Sequence, residues 1–350
     1  MIKPKINHNC LLFLCLTVLA TAGCASKWTL VLESPAAPRQ WRDDENRSRA
    51  TYQGTISGFK ETGSSVSSVL KHIVFGKRAE DNTVVRPVAV AIGLNNRIAI
   101  ADAGRSCIHL YDPAEQKYRK IYAAGKEELH TPVSVIFDDA SRLYVSDSSR
   151  GAIHVFDQAG EHLFSIHSAG ADPLRRPTGL SYSPGNKLLY ALDTAANKVY
   201  AFDASGNLLF SFGGPGEGSG QLNFPTHIYS SPDGRLYIVD AMNFRVQVFD
   251  ASGKFLSSFG HHGNGSGDFA MPKGIAVDKA GVIYIVDTLF DNIQLFNLAG
   301  SFLFTIGGRG ADYGEFSMPS GLFLDDKDTL YVCDTYNQRV QLFHLMESQL

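Results

Sequence analysis

The sequence predicts an all-β chain folded as a six-bladed β-propeller, a ring of four-stranded antiparallel blades. Six prolines, Pro87, Pro132, Pro177, Pro225, Pro272 and Pro319, recur at intervals of 45, 45, 48, 47 and 47 residues. Six aspartates, Asp102, Asp147, Asp193, Asp240, Asp287 and Asp334, recur at 45, 46, 47, 47 and 47. Between these landmarks the same short apolar runs and glycine turns return, and four strands in roughly 40–50 residues is the pattern of one propeller blade.

The fourth unit shows the elements in order. Thr226–Ser230 is a first strand, ended by the turn Pro232-Asp233-Gly234. Arg235–Asp240 is a second, apolar on both faces through LYIV, as expected of a strand covered by stacked sheets. Arg245–Asp250 alternates Val246 and Val248 with Arg245 and Gln247. The turn Ala251-Ser252-Gly253 leads to a fourth strand, Lys254–Phe259. The last unit supplies three strands and ends near Leu345, so a strand from upstream must complete it, or sheet edges stay open. The run VLKHIVFGK (69–77) resembles the fourth-strand ends LLFSFGG and FLFTIGG, and residues 69–76 are expected to be that closing strand. TYQGTISG (51–58) reads as one short strand.

Upstream of the ring the composition changes. Lys3 and Lys5 precede a ten-residue apolar run, Leu11–Ala20, too short to span a bilayer comfortably. TAGCAS (21–26) then resembles the cleavage site of a bacterial lipoprotein, with Thr21 where leucine is usual. The resemblance implies a signal peptide over 1–23, acylation of Cys24 and a membrane anchor. Ser26, two residues on, implies the outer membrane and leaves open whether the domain faces the periplasm or the surface. Residues 24–66 read as a tether, because 33–50 are charged, proline-bearing and poor in aliphatics. The propeller is assigned to 67–350. Cys10 and Cys15 leave with the signal and Cys24 is acylated, so only Cys107 and Cys333 remain and no disulfide framework is possible. Loss of Lys3 and Lys5 moves the formal net charge from −3 to −5, a poor balance for nucleic acid.

Units four to six resemble NHL repeats. The features are the opening proline, the central apolar strand, and then Asp240…Asn243-Phe244-Arg245-Val246-Gln247-Val248-Phe249 or Asp334…Asn337-Gln338-Arg339-Val340-Gln341-Leu342-Phe343. Units one to three drift: Arg105 and Arg150 replace the asparagine, and Cys107 and Ala152 the arginine. The resemblance covers about residues 69–345 and implies the fold. Its members include peptide, protein and RNA binders and a metal-using lyase, so it selects no function.

Candidate site residues are those that break the repeat. Two positions after the prolines stand Ala89, Ser134, Gly179, His227, Gly274 and Gly321; small residues suit a crowded axis, and His227 is the exception. One position after them stand Val88, Val133, Thr178, Thr226, Lys273 and Ser320. His227, Lys273, Thr178, Thr226 and Ser320 are therefore candidates for an axial ligand site, with Lys273 and the hydroxyls suited to a small anion. No cofactor is required by any motif. Calcium or zinc at the axis is the metal alternative, although a catalytic zinc wants three protein ligands and no other histidine shares the row of His227. The six aspartates are expected to accept amide hydrogen bonds at their own turns, and Asn243, Arg245, Asn337 and Arg339 to make hydrogen bonds and packing contacts between blades. His130, His261 and His262 read as solvated loop residues. Phe224, Phe244, Leu289, Phe290, Tyr313 and Tyr336 could form an apolar loop patch.

No GxSxG, HExxH or P-loop occurs. The expected function is a non-catalytic, envelope-anchored binder or scaffold whose loops take a protein, peptide or small ligand. The alternatives are a metal-assisted lyase or hydrolase at the axial channel mouth, and a structural envelope component.

Overall fold

Every unit forms its sheet as the pattern requires. The structure, a computed structural model, describes residues 26–42, 46–62 and 81–346. In blade 4 the strands Pro225–Ser230, Leu236–Asp240, Arg245–Phe249 and Phe255–Phe259 pair in chain order, all antiparallel. Blades 1, 2, 3 and 5 repeat this order. The second strand is fully buried in blade 4, from Leu236 to Asp240, whereas the fourth strand is half-buried only at Phe255 and Phe259 and exposed between them. Burial therefore falls from the middle of each blade to its rim. The core is a set of clusters shared between neighbouring blades, such as Tyr237, Val239, Val246 and Val248 of blade 4 with Ile275, Ile283 and Ile285 of blade 5.

The strand that closes the ring differs from the expected one. Strands β1 (Lys27–Glu33), β2 (Gln40–Arg42) and β3 (Ser48–Thr62) all join the sheet of blade 6. β3 pairs with Arg339–Leu345, in the register Ala50↔Leu345 through Ile56↔Val340. Residues 69–76 lie outside the described residues, and the outer position of blade 6 that they were expected to fill belongs to β3. The segment read as a tether is thus a strap in its described parts, and the short strand read at 51–58 is the middle of a fifteen-residue one. Ala50, Tyr52 and Ile56 form its buried apolar face, and β1 and β2 pair with its other edge. Beyond Ile56, β3 crosses to blade 1: the amide of Phe59 donates to the Asn82 carbonyl (3.1 Å), and the Phe59 ring stacks on Tyr118 at 4.3 Å. β1 follows it, with the Trp28 amide on the Gln116 carbonyl (2.8 Å).

Inner strands touch across blades through the small-residue row. The amide of Gly274 donates to the Ser320 carbonyl, and that of Gly321 to the Val88 carbonyl, both at 3.1 Å. A Cβ at Gly321 would lie 2.4 Å from the Val88 oxygen, so glycine is required for this approach. Hydroxyls one residue after the repeating aspartate clip one blade to the next. Ser148, Thr194, Thr288 and Thr335 donate to the carbonyls of Pro177, Pro225, Pro319 and Pro87 at 2.6–2.8 Å. Ala103 and Ala241 hold this place in blades 1 and 4. Cys107 and Cys333 are buried free thiols, and burial lifts Cys107 to about 12.

Candidate functional site

The six aspartates are structural. All are fully buried. Their oxygens accept from amides just before the opening proline of their own blade, as Asp102 does from Val85 (2.8 Å) and Arg86 (2.9 Å), and Asp102 also accepts from Gly104 and Arg105 in its own turn. Asp240 and Asp334 also take Arg245 and Arg339, each at 2.8 Å. Asn243 and Arg245 reach the carbonyls of Gly216 and Gly218, fixing the glycine-rich connection that enters the blade. They make the expected hydrogen bonds between blades, through the connecting loop. The loop histidines are engaged as well: His261 with Asp268 (2.7 Å), His130 with Arg150 (2.7 Å), and His262 against the Phe244 ring (4.4 Å).

The five axial candidates separate into two groups. Thr178 and Ser320 are held by the fold. The Thr178 hydroxyl bonds Thr194 (2.7 Å), and that of Ser320 bonds Thr335 (2.9 Å) and the Val88 carbonyl (3.2 Å). Thr226 holds the same position in blade 4, but its partner would be residue 241, an alanine, and its Oγ1 is buried without a hydrogen bond. The Pro272 carbonyl loses its clip for the same reason. The blade 4–blade 5 junction thus lacks the clip, as the blade 1–blade 2 junction does through Ala103, and in addition leaves the Thr226 hydroxyl unpartnered.

His227 occupies this junction. At the equivalent places a Cβ on Gly179 would meet Thr226 and His227 of the next blade, and one on Gly274 would meet Ser320 and Leu322. By the same geometry His227 projects toward blade 5, where Lys273 stands. Its Nδ1 is sealed and unpartnered, although the ring is reached from the axis. Desolvation first, and the Lys273 charge second, push its pKa down to about 3. The imidazole is thus neutral above that value. An unfolded-state histidine takes its proton near 6.5, so this residue weakens the fold as pH falls from 6.5 toward 3. Burial, and then Arg86, hold the Lys273 ammonium below the usual lysine range.

An axial cavity of about 1060 Å³ begins at His227. Its lining runs from the row of His227 to the turns joining first and second strands, and of the five axial candidates only His227 is part of it. Phe137, Tyr182, Tyr229 and Phe323 are among its walls; Asp139, Asp326 and Lys327 stand at its rim. Tyr182 is fixed by donating to Asp139 (2.7 Å), and Tyr229 by donating to the Val277 carbonyl (3.0 Å). The Ser230 Oγ in the wall is buried without a partner. Sequence reasoning placed a candidate site on the axis at His227 but missed the other walls, which come from six segments about 47 residues apart. Of the loop patch, Phe224, Leu289, Tyr313 and Tyr336 are exposed. Phe224 and Tyr336 carry the guanidinium groups of Arg176 and Arg86, at 5.3 and 5.8 Å. Phe244 instead packs into the blade 4–blade 5 core.

Two family models match, one described as a 6-bladed beta-propeller (residues 228–290) and one as the NHL repeat (residues 316–343). The chain is a six-bladed propeller with NHL repeats. Solved structures of the same fold include a protein of unknown function from Bacteroides thetaiotaomicron, 14% identical, covering 92% of this chain and 90% of that one with a TM-score of 0.60. A second is an auxiliary nutrient binding protein from the same organism, at 15% identity, 77% and 71% coverage and a TM-score of 0.58. A third is virginiamycin B lyase from Staphylococcus aureus, at 14% identity, 75% and 96% coverage and a TM-score of 0.57. No curated protein matches the sequence. At these identities the likeness is one of fold. For the metal alternative, no group of three or more His, Cys, Asp or Glu among the described residues is disposed to hold a metal ion, so His227 lacks the companions a lyase-type metal centre requires.

Proposed function

We propose that this NHL propeller is a non-catalytic binding protein, anchored at a bacterial envelope through Cys24, that takes a small and largely apolar ligand in its axial cavity. The observation that carries the reading is the cavity itself. Its volume of about 1060 Å³ sits at the upper end of small-molecule sites. Its walls combine four aromatic rings with serines, asparagines and acids, and one of the polar groups, the Ser230 hydroxyl, has no protein partner. A rigid ring that holds two of these rings by their hydroxyls is preorganised for a ligand. The neighbours in fold divide between a nutrient binder and a lyase, and this chain's own residues favour binding.

The test is fluorescence titration of the mature chain carrying Cys24→Ser with prodan, a neutral naphthalene dye. A saturable, one-to-one blue shift is expected, and Ser230→Trp, which fills the cavity wall, removes it. Absence of saturation, or equal binding by the tryptophan variant, rejects the cavity. A separate fractionation tests the anchor: the native chain should need detergent for release from membranes, and Cys24→Ser should be released without it. Detergent dependence that persists in the variant rejects acylation at Cys24.

A further inference from the structure

We propose that the axial cavity selects a neutral ligand with two unlike edges: carbonyl oxygens toward blades 2, 3 and 4, where His227 Nε2 donates to one of them, and hydrocarbon toward blades 5, 6 and 1. This rests on the cavity reading and adds the polarity and orientation of what the cavity binds.

Polar and apolar side chains divide the cavity wall by blade. The first-strand segments of blades 5, 6 and 1 line it with Ile275, Ala276, Leu322, Phe323, Ala89 and Val90, among others, and contribute no polar side chain. Those of blades 2, 3 and 4 contribute Ser134, Ser181, Ser183, His227 and Ser230. Each set of three blades is consecutive around the ring, so the two sets face each other across the axis.

The polar side is rich in donors. His227 Nδ1 is sealed and unpartnered; Nε2 also has no partner among the described residues but is not sealed, so it is the nitrogen that the cavity reaches. A neutral imidazole carries one N–H and one lone pair, and an orphaned buried N–H is rarer in folded proteins than an orphaned acceptor. The proton therefore belongs on Nε2. Burial above all keeps this imidazole neutral down to about 3, so the hydrogen bond it offers carries no charge. Ser134 Oγ accepts from the Leu180 amide (3.2 Å), and Ser181 Oγ from the Ser230 amide (2.8 Å). Neither hydroxyl has an acceptor for its own hydrogen among the described residues. A ligand donor would find one spare lone pair on each serine and none on Nε2, whereas a ligand carbonyl fits all three. Water can take the same bonds, but it would also lie against the hydrocarbon wall opposite, and a ligand with two unlike edges releases it from both. In a cavity apolar all round, a carbonyl would instead lose its hydrogen bonds to water without replacement.

The experiment is displacement of prodan from the mature Cys24→Ser chain by 2-acetylnaphthalene and by 2-isopropenylnaphthalene. The two share one shape and differ only in C=O against C=CH2. The ratio of their affinities is read, because a change in cavity shape or in stability moves both probes together. His227→Phe, which keeps a ring and removes the donor, should weaken the ketone relative to the alkene by about two- to tenfold. Ser181→Ala should shift the ratio in the same direction. His227→Gln, which restores an N–H, should keep the ratio near that of the parent. A ratio unchanged by His227→Phe, a ratio that His227→Gln lowers as far as His227→Phe does, or tighter binding of 2-naphthoate than of the ketone overturns the inference. Saturable prodan binding together with any of these results removes only the inference; failure of prodan to saturate removes the cavity reading with it.

Discussion

A chain lacking residues 26–62 should lose its cooperative unfolding transition. β3 is the fourth strand of blade 6, and the ring has no other described strand for that place. Removing it exposes the edge Arg339–Leu345 and uncovers the partners of Ala50, Tyr52, Ile56 and Phe59, all buried. Full burial of a large apolar side chain contributes about 1.5–3 kcal/mol, so Tyr52, Ile56 and Phe59 alone approach the net stability of a typical domain. Both seams fail together, because β3 packs on blade 6 through Tyr52 and Phe343 (rings 5.5 Å apart) and on blade 1 through Phe59 and Tyr118. A milder version is Tyr52→Ala, which should cost about 3–5 kcal/mol in urea unfolding, as core aromatic truncations do. An unchanged midpoint in the deletion would show that the ring closes without its strap.

The six blades were legible because each unit buries its second and third strands on both faces. That demand fixes an apolar run, a turn and an aspartate at every repeat, and the spacing shows through whatever the loops do. The strap was not legible, because β3 is held between Arg339–Leu345 on one edge and β1 and β2 on the other by backbone pairing, which leaves little apolar pattern in the sequence. SRATYQGTISGFKET keeps polar residues on its open face and resembles a spacer, whereas 69–76 resembles the outer strands of blades 3 and 5. Among the site residues, the breaks in the repeat carried the information. His227 stands out in a row of small residues, and Lys273 in a row of hydroxyls and valines. What separates Thr226 from Thr178 lies elsewhere in the sequence, at Ala241 against Thr194, and the clip that makes this difference matter becomes visible only with the Pro225 carbonyl in place. The cavity depends on the radius of the ring and on residues from all six first strands and their turns, a quantity no local pattern encodes.

Asp334→Ala should destabilise the propeller by about 3–5 kcal/mol, the usual result of leaving one member of a buried ion pair behind. Asp334 is fully buried and accepts from the Ser317 amide, Asn337, Arg339 and Gln341, each at 2.8 or 2.9 Å. Arg339 would keep its bonds to the carbonyls of Asp312 and Glu315 but lose its only carboxylate among the described residues. Gln341, which holds the same incoming loop through the Gly314 amide and the Glu315 carbonyl, would lose its third bond. Asp102→Ala provides the control. Asp102 accepts from four amides, those of Val85, Arg86, Gly104 and Arg105, where Asp334 accepts from that of Ser317, and its side-chain partner is His109 at 3.2 Å, held neutral mainly by burial. Its removal orphans amides and an imidazole rather than a guanidinium, so about 1–3 kcal/mol is expected. Urea unfolding of both variants at neutral pH measures the difference. If Asp102→Ala cost as much as Asp334→Ala, the amide bonds common to every blade would carry the load, and the Asp–Arg–Gln set of blades 4 and 6 would add little to the ring.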